Sequence, residues 1–109
     1  MGQYLALIYE DEASWQAGGP AAEAGMAAHR AFGEKYKNVL RGGAALQPTG
    51  TATCIRGGVV SDGPFLETKE VLGGYYLIEV NDLDEALAVA KDVPAPFGGV
   101  ELRPVMTSG

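Results

Sequence analysis

The chain offers very little of the residue chemistry that usually announces a site. It has one cysteine, Cys54, and one histidine, His29. A lone cysteine excludes an intrachain disulfide. One His and one Cys cannot assemble a His/Cys metal centre, so no metal or other cofactor is expected. No G-x-G-x-x-G, P-loop, H-E-x-x-H, C-x-x-C or G-x-S-x-G motif occurs, which removes the usual phosphate cradles and nucleophile elbows. Basic charge is also scarce: eight Lys and Arg stand against fourteen Asp and Glu, a net charge of −6, and the basic residues are dispersed. Without a basic patch, neither nucleic acid nor an anionic membrane is an expected partner.

Long apolar runs are missing too. Nothing approaches the roughly 20 residues of a membrane span. The run Tyr4 to Tyr9 is too short for a signal-peptide core and has no basic residues before it. Ala6 stands where a myristoylation signal needs Ser or Thr. The expectation is a soluble, cytoplasmic protein.

What is present reads as one domain over residues 1–106, with residues 107–109 as a tail. The length, 109 residues, suits a single domain with a core of its own. Tyr4-Leu5-Ala6-Leu7-Ile8-Tyr9 predicts a strand buried on both faces, ending at an acidic, solvated loop, Glu10-Asp11-Glu12. Pro20 opens a helix to about Lys37, with Ala22, Met26, His29, Gly33, Tyr36 and Leu40 along one face and Arg41-Gly42-Gly43 as its stop. Strand pieces follow at 44–47 and 51–56, interrupted by Pro48. Gly57-Gly58 predicts a two-residue hairpin turn, with Val59 to Ser61 as the return strand. Tyr75 to Val80 is the strongest strand. Asp82-x-x-Glu85 resembles a capping box ahead of a helix to about Val93, with Leu83, Ala86, Leu87 and Ala90 as its buried stripe. Val100 to Val105 is the last strand, with Val100 and Leu102 inward.

This order, strand–helix–strand with an inserted hairpin, then strand–helix–strand, predicts an α+β, ferredoxin-like split βαβ fold with both helices on one side of the sheet. Leu5 and Leu7 then face away from Ala6 and Ile8, and Leu77 faces away from Tyr76, Ile78 and Val80. Two helices cover one side only. An apolar second side predicts a partner surface, most simply another copy packed sheet to sheet. The competing expectation is that loop 10–20 folds over the open side.

His29 is the single group whose ordinary pKa suits acid–base work near neutrality. Asp62, in the turn after the hairpin, is a candidate to orient it. The plainer reading is a helix histidine bonded to a backbone carbonyl. Cys54 reads as a buried, inert thiol. Trp15 reads equally as a pocket lid or as simple packing. Tyr75 and Tyr76 read as core or interface residues.

The stretch Ser61-Asp62-Gly63-Pro64-Phe65-Leu66-Glu67-Thr68-Lys69-Glu70, followed by Leu72-Gly73-Gly74-Tyr75-Tyr76-Leu77-Ile78, resembles the DGPF branch of the YCII-related family. Tyr4 to Tyr9, Ala45-Leu46-Gln47-Pro48, Asp82 to Leu87 and Val100 to Val105 extend the resemblance along nearly the whole chain. The resemblance implies a dimeric α/β-barrel made by two ferredoxin-like sheets, and hence a homodimer. It also implies an active-site pair of a histidine and an aspartate, which fall on His29 and Asp62. Many DGPF proteins are associated with extracytoplasmic-function sigma factors, and their biochemical role is unestablished. The chain departs from the pattern at Ala44, where relatives often carry Glu, and in a shorter hairpin at Gly57-Gly58.

Two functional readings follow. One is a cofactor-free enzyme of isomerase, lyase or oxygenase type acting on a small organic molecule. In it His29 moves the proton, Asp62 holds the imidazole, and Tyr9 and Phe65 wall the pocket. The other is a non-catalytic ligand-binding or regulatory module linked to a sigma factor. A pocket that is only vestigial, on a dimeric scaffold, is the bland remainder.

Overall fold

In the computed structural model, residues 1–106 are described; the tail expected at 107–109 lies outside them. The main sheet has four strands: β1 (Gly2–Asp11), β2 (Leu40–Ala45), β5 (Glu70–Val80) and β6 (Gly98–Pro104), in the order β2-β5-β1-β6. Its neighbouring strands are antiparallel throughout. Between β2 and β5 a second, two-stranded ribbon is formed by β3 (Thr53–Arg56) and β4 (Val59–Asp62). Among the described residues three α-helices complete the fold, α1 (Glu12–Gln16), α2 (Pro20–Lys35) and α3 (Leu83–Ala90), with a single 3-10 turn at Thr49–Thr51. The connection order is the split βαβ expected from the sequence.

Cross-strand register assigns every side chain of the sheet to a face. Ala6 pairs with Tyr76 and Leu102, and Tyr4 pairs with Ile78. This face carries the core, in which Ala6, Ile8, Ile78 and Val80 meet Phe32 of α2 and Ala86 and Val89 of α3. Ala6, Ile78 and Ala86 are completely inaccessible to solvent. On the opposite face Leu5 pairs with Leu77 and Leu7 with Tyr75. Glu101 and Arg103 border those pairs from β6, and the Arg41–Glu79 ion pair at 3.4 Å borders them from the β2 side. All four apolar side chains are only half-buried. The apolar second face anticipated from β1 and β5 is therefore real, and loop 10–20 does not cover it, because that segment forms α1 beside the other face.

Several local expectations need correction. Helix α2 ends at Lys35, and Leu40-Arg41-Gly42-Gly43 opens β2 instead of finishing the helix. A Gly-Gly pair reads as a helix stop, yet pairing with β5 outweighs that local signal. The buried positions of α2 are Ala22, Gly25 and Phe32, while Met26 is exposed. Those of α3 are Ala86 and Val89, continued by Val93, and Leu83 and Leu87 are exposed. The cap of α3 forms as expected: Glu85 N–H donates to Asp82 Oδ1 at 2.9 Å, and the Glu85 carboxylate reaches back to Asn81 N–H at 2.9 Å.

The ribbon turns at Gly57 and Gly58, with φ of 57° and 80°. Two consecutive positive values are what a type I′ hairpin requires, and glycine adopts them without steric cost. The ribbon touches the rest of the domain only weakly. The radius of gyration is accordingly 15.2 Å, above the ~13 Å of a compact domain of this length.

Candidate functional site

A cavity of about 650 Å³ opens between α2 and the ends of β1, β2 and β5, within the usual range for small-molecule sites. Each wall has a local cause. Ile8 and Glu10 reach it because they continue the helix-side alternation of β1 after Ala6. Leu46, Gln47 and Pro48 reach it where the chain leaves β2, and Leu72 to Tyr76 line it along β5. Met26 and His29 project from α2 at a spacing of three, and so share one side of that helix.

His29 is half-buried. Its Nδ1 lies 2.8 Å from the Tyr76 hydroxyl, and the two rings stack with centroids 5.9 Å apart. Phe32 supports Tyr76 from beneath, at 4.8 Å between centroids. His29 Nε2 makes no hydrogen bond among the described residues. No buried side-chain nitrogen or oxygen among them lacks a partner, so Nε2 is open to solvent. Burial holds the His29 pKa below its ordinary 6.5, although the nearby negative charge of Glu10 works in the opposite direction. Burial also pushes the Tyr76 hydroxyl above its ordinary value. Near pH 7 the pair is thus a neutral imidazole against a neutral phenol.

That pairing has a defined chemical capacity. A phenol both donates and accepts. When Nδ1–H donates to the Tyr76 oxygen, Nε2 presents a lone pair and accepts a proton. When the Tyr76 hydroxyl donates to Nδ1, Nε2 carries the proton and gives it up. The two states differ by a proton, which leaves one ring nitrogen as another is added to the other, and the Tyr76 hydroxyl turns to match whichever tautomer is present.

The mouth is held by two carboxylates. Glu10 is 6% exposed; it accepts from Trp15 Nε1 at 2.8 Å and from Phe97 N–H at 2.9 Å. Trp15 stands edge-on to Phe97, with centroids 5.3 Å apart. Gly25 of α2 makes this possible, since a Cβ there would come within 2.7 Å of the indole. Glu12 accepts from Thr49 N–H and from Thr49 Oγ1, both at 2.8 Å. This ties α1 to the loop after β2.

The expected site residues are not all brought together. His29 lines the cavity. Asp62 does not reach it within the same chain: it is an exposed residue on β4 of the ribbon, and the side chain that holds the imidazole, at Nδ1, is Tyr76. Phe65 is 59% exposed and lies under the Arg56 guanidinium, 4.6 Å from its ring centre, outside the cavity lining. Tyr9, one residue from the inward Glu10, faces a different and more polar cleft with Leu66, Lys69 and Phe97. Cys54 is buried in the ribbon as expected. Glu10, Trp15 and Tyr76 are therefore the residues that sequence reasoning undervalued, and Ala44 also lines the cavity.

Comparison with known proteins fits this architecture. The model of the YCII-related domain matches residues 2–108. An uncharacterized protein of Rhizobium meliloti (strain 1021) is 38% identical over 112 residues, spanning 94% of this chain and 90% of that protein. A solved structure of 5-chloro-2-hydroxyhydroquinone dehydrochlorinase from Burkholderia phenoliruptrix AC1100, in complex with 2,5-dihydroxybenzoquinone, is 16% identical. It covers 97% of this chain and 95% of its own, with a TM-score of 0.57. At that identity the likeness is one of fold.

Proposed function

The chain belongs to the YCII-related domain family, and from that premise we propose that it is an enzyme that moves a proton on a small organic molecule, with His29 as acid and base. The observation that carries the reading is the His29–Tyr76 hydrogen bond in the wall of the 650 Å³ cavity, with Nε2 free for a ligand. A neutral imidazole of lowered pKa is a competent base near pH 7. His29 Nε2 takes a proton from a substrate O–H or C–H, becomes imidazolium with Nδ1–H donating to Tyr76, and returns the proton at a second substrate atom. That sequence is an isomerisation. With a leaving group beside the carbanion or enolate, it is an elimination. The dehydrochlorinase of similar fold, held in complex with 2,5-dihydroxybenzoquinone, supports a small ring as the kind of molecule this architecture accommodates.

The working unit in this reading is a homodimer closed through the Leu5/Leu7/Tyr75/Leu77 face, with residues 1–106 as one domain and the cytoplasm as its place. Among the described residues, no helix is long and apolar enough to cross a membrane. The Asp62-Gly63-Pro64-Phe65 stretch supports membership of the DGPF branch within that family.

The test is proton exchange or turnover on a panel of enolisable and hydroxylated small molecules. Once a substrate is found, His29→Gln is expected to lower kcat by about 10²- to 10⁴-fold, whereas Asp62→Asn leaves kcat unchanged. Full activity in His29→Gln removes the proposal. A loss in Asp62→Asn equal to that of His29→Gln restores Asp62 as the partner of the histidine, supplied by the second subunit.

A further inference from the structure

The charge layout of the cavity says what class of molecule it accepts. Among its described lining residues there is no Lys or Arg, while two carboxylates, Glu10 and Glu12, stand at its mouth. Both are fixed from within the chain. Glu10 is occupied by Trp15 Nε1 and Phe97 N–H, and Glu12 by the N–H and hydroxyl of Thr49. They add negative potential to the mouth but point their accepting oxygens at protein donors. His29 adds no compensating charge while it is neutral. The remaining surface is mostly apolar, from Ile8, Met26, Leu46 and Leu72, with aromatic faces at Trp15 and Tyr76. In such surroundings two like charges a few ångströms apart repel strongly, and a buried anion with no counter-ion is disfavoured.

We propose that the cavity selects uncharged, ring-bearing molecules that present a hydroxyl or carbonyl oxygen to His29 Nε2, and that it rejects carboxylates and phosphates of the same shape. This rests on the acid–base reading of the same site, since it uses Nε2 as the polar anchor. Selection is then set by what is missing from the walls. A phenol, enol or ketone makes one hydrogen bond and buries its ring. An acid of equal size brings a charge that nothing in the lining neutralises.

Trp15 is the single tryptophan of the chain and lines the mouth, so its fluorescence reads binding directly. Three probes share one ring and one hydroxyl: para-hydroxybenzamide, para-hydroxybenzoate and para-hydroxybenzylamine, which near pH 7 are neutral, anionic and cationic. The neutral amide is expected to quench Trp15 saturably and to bind at least about tenfold more tightly than the benzoate. Met26→Lys, at an exposed position on the cavity wall, is expected to bring the benzoate to parity with the amide or better. Equal binding of amide and benzoate, tighter binding of the amine, or no saturable quench by the amide overturns the proposal. The two readings separate in His29→Gln. If that variant keeps turnover, the acid–base role fails while the charge preference is read independently from the titrations. If it loses turnover but the ions bind as well as the amide, the selectivity fails alone.

Discussion

His29 of α2 and Tyr76 of β5 stand 47 residues apart in the chain and share one hydrogen bond of 2.8 Å. The bond ties the reactive ring to the sheet, and it fixes which imidazole nitrogen meets the cavity. Because its partner is a phenol and not a carboxylate, the histidine gains little help in holding a proton. Burial therefore prevails, and its pKa falls below 6.5.

From this follows a pH dependence with a definite sign. The unfolded chain binds a proton at His29 more readily than the folded one. The neutral-histidine contribution to stability is then fully present above about pH 6.5 and is lost as pH falls from there through the lower folded-state pKa. Likewise the acidic limb of kcat/KM is expected to rise with pH, with a midpoint below 6.5. Urea unfolding and rate profiles, each compared with His29→Gln, check both. A midpoint above 6.5 contradicts the assignment. Tyr76→Phe keeps the ring and removes the bond; a loss of roughly fivefold in kcat is expected, equivalent to ~1 kcal/mol for one hydrogen bond.

Glu10 is expected to matter for stability as much as for the site. Glu10→Ala strips the acceptor from Trp15 Nε1–H and Phe97 N–H together. Leaving such donors unpaired costs about 1–3 kcal/mol. Chemical denaturation should report that loss, accompanied by a red shift of Trp15 emission as the indole is released. An unchanged midpoint and unchanged emission contradict the latch.

The uncovered side of the sheet gives a prediction about assembly. Leu77 pairs with Leu5 and stands next to the Leu7–Tyr75 pair on that side. Leu77→Arg should leave the core beneath α2 and α3 intact, since it points away from them, but it places a cation where two copies would meet. Sedimentation equilibrium at micromolar concentration is expected to show a dimer for the native chain and a monomer for Leu77→Arg, with native far-ultraviolet dichroism in both. A native chain that sediments as a monomer overturns the sheet-to-sheet assembly.

Much of this architecture is legible in the amino acids, and the reasons for the rest are specific. Alternation in β1 and β5 reports both faces of the sheet, because a strand exposes its period directly. The same alternation, carried two residues past Ile8, points Glu10 inward. Its acidic neighbours Asp11 and Glu12 make the segment look like a solvated loop, and only the donors of Trp15 and Phe97, the latter 87 residues away, make burial tolerable. Tyr76 lies on the helix side with Ile78 and Val80, and His29 lies on the inner side of α2, so their meeting was within reach of the sequence. What hid it was the closeness of Asp62 to a turn, which suggests a carboxylate partner by chemistry where topology sets a different one. Helix ends are harder still: Leu40 to Gly43 is a poor strand in isolation and becomes one because β5 supplies its hydrogen bonds.

The β3–β4 ribbon pairs only with itself and turns on two glycines. None of the main sheet's interstrand ladders runs through it, so residues 53–62 can grow, shrink or change composition without disturbing the register of the strands that carry His29's partner. Such a segment is free to diversify between relatives, in the manner of an interchangeable handle on a fixed tool. The same independence makes its tip, at Gly57-Gly58, the natural position for a label or a short epitope that leaves the chemistry untouched.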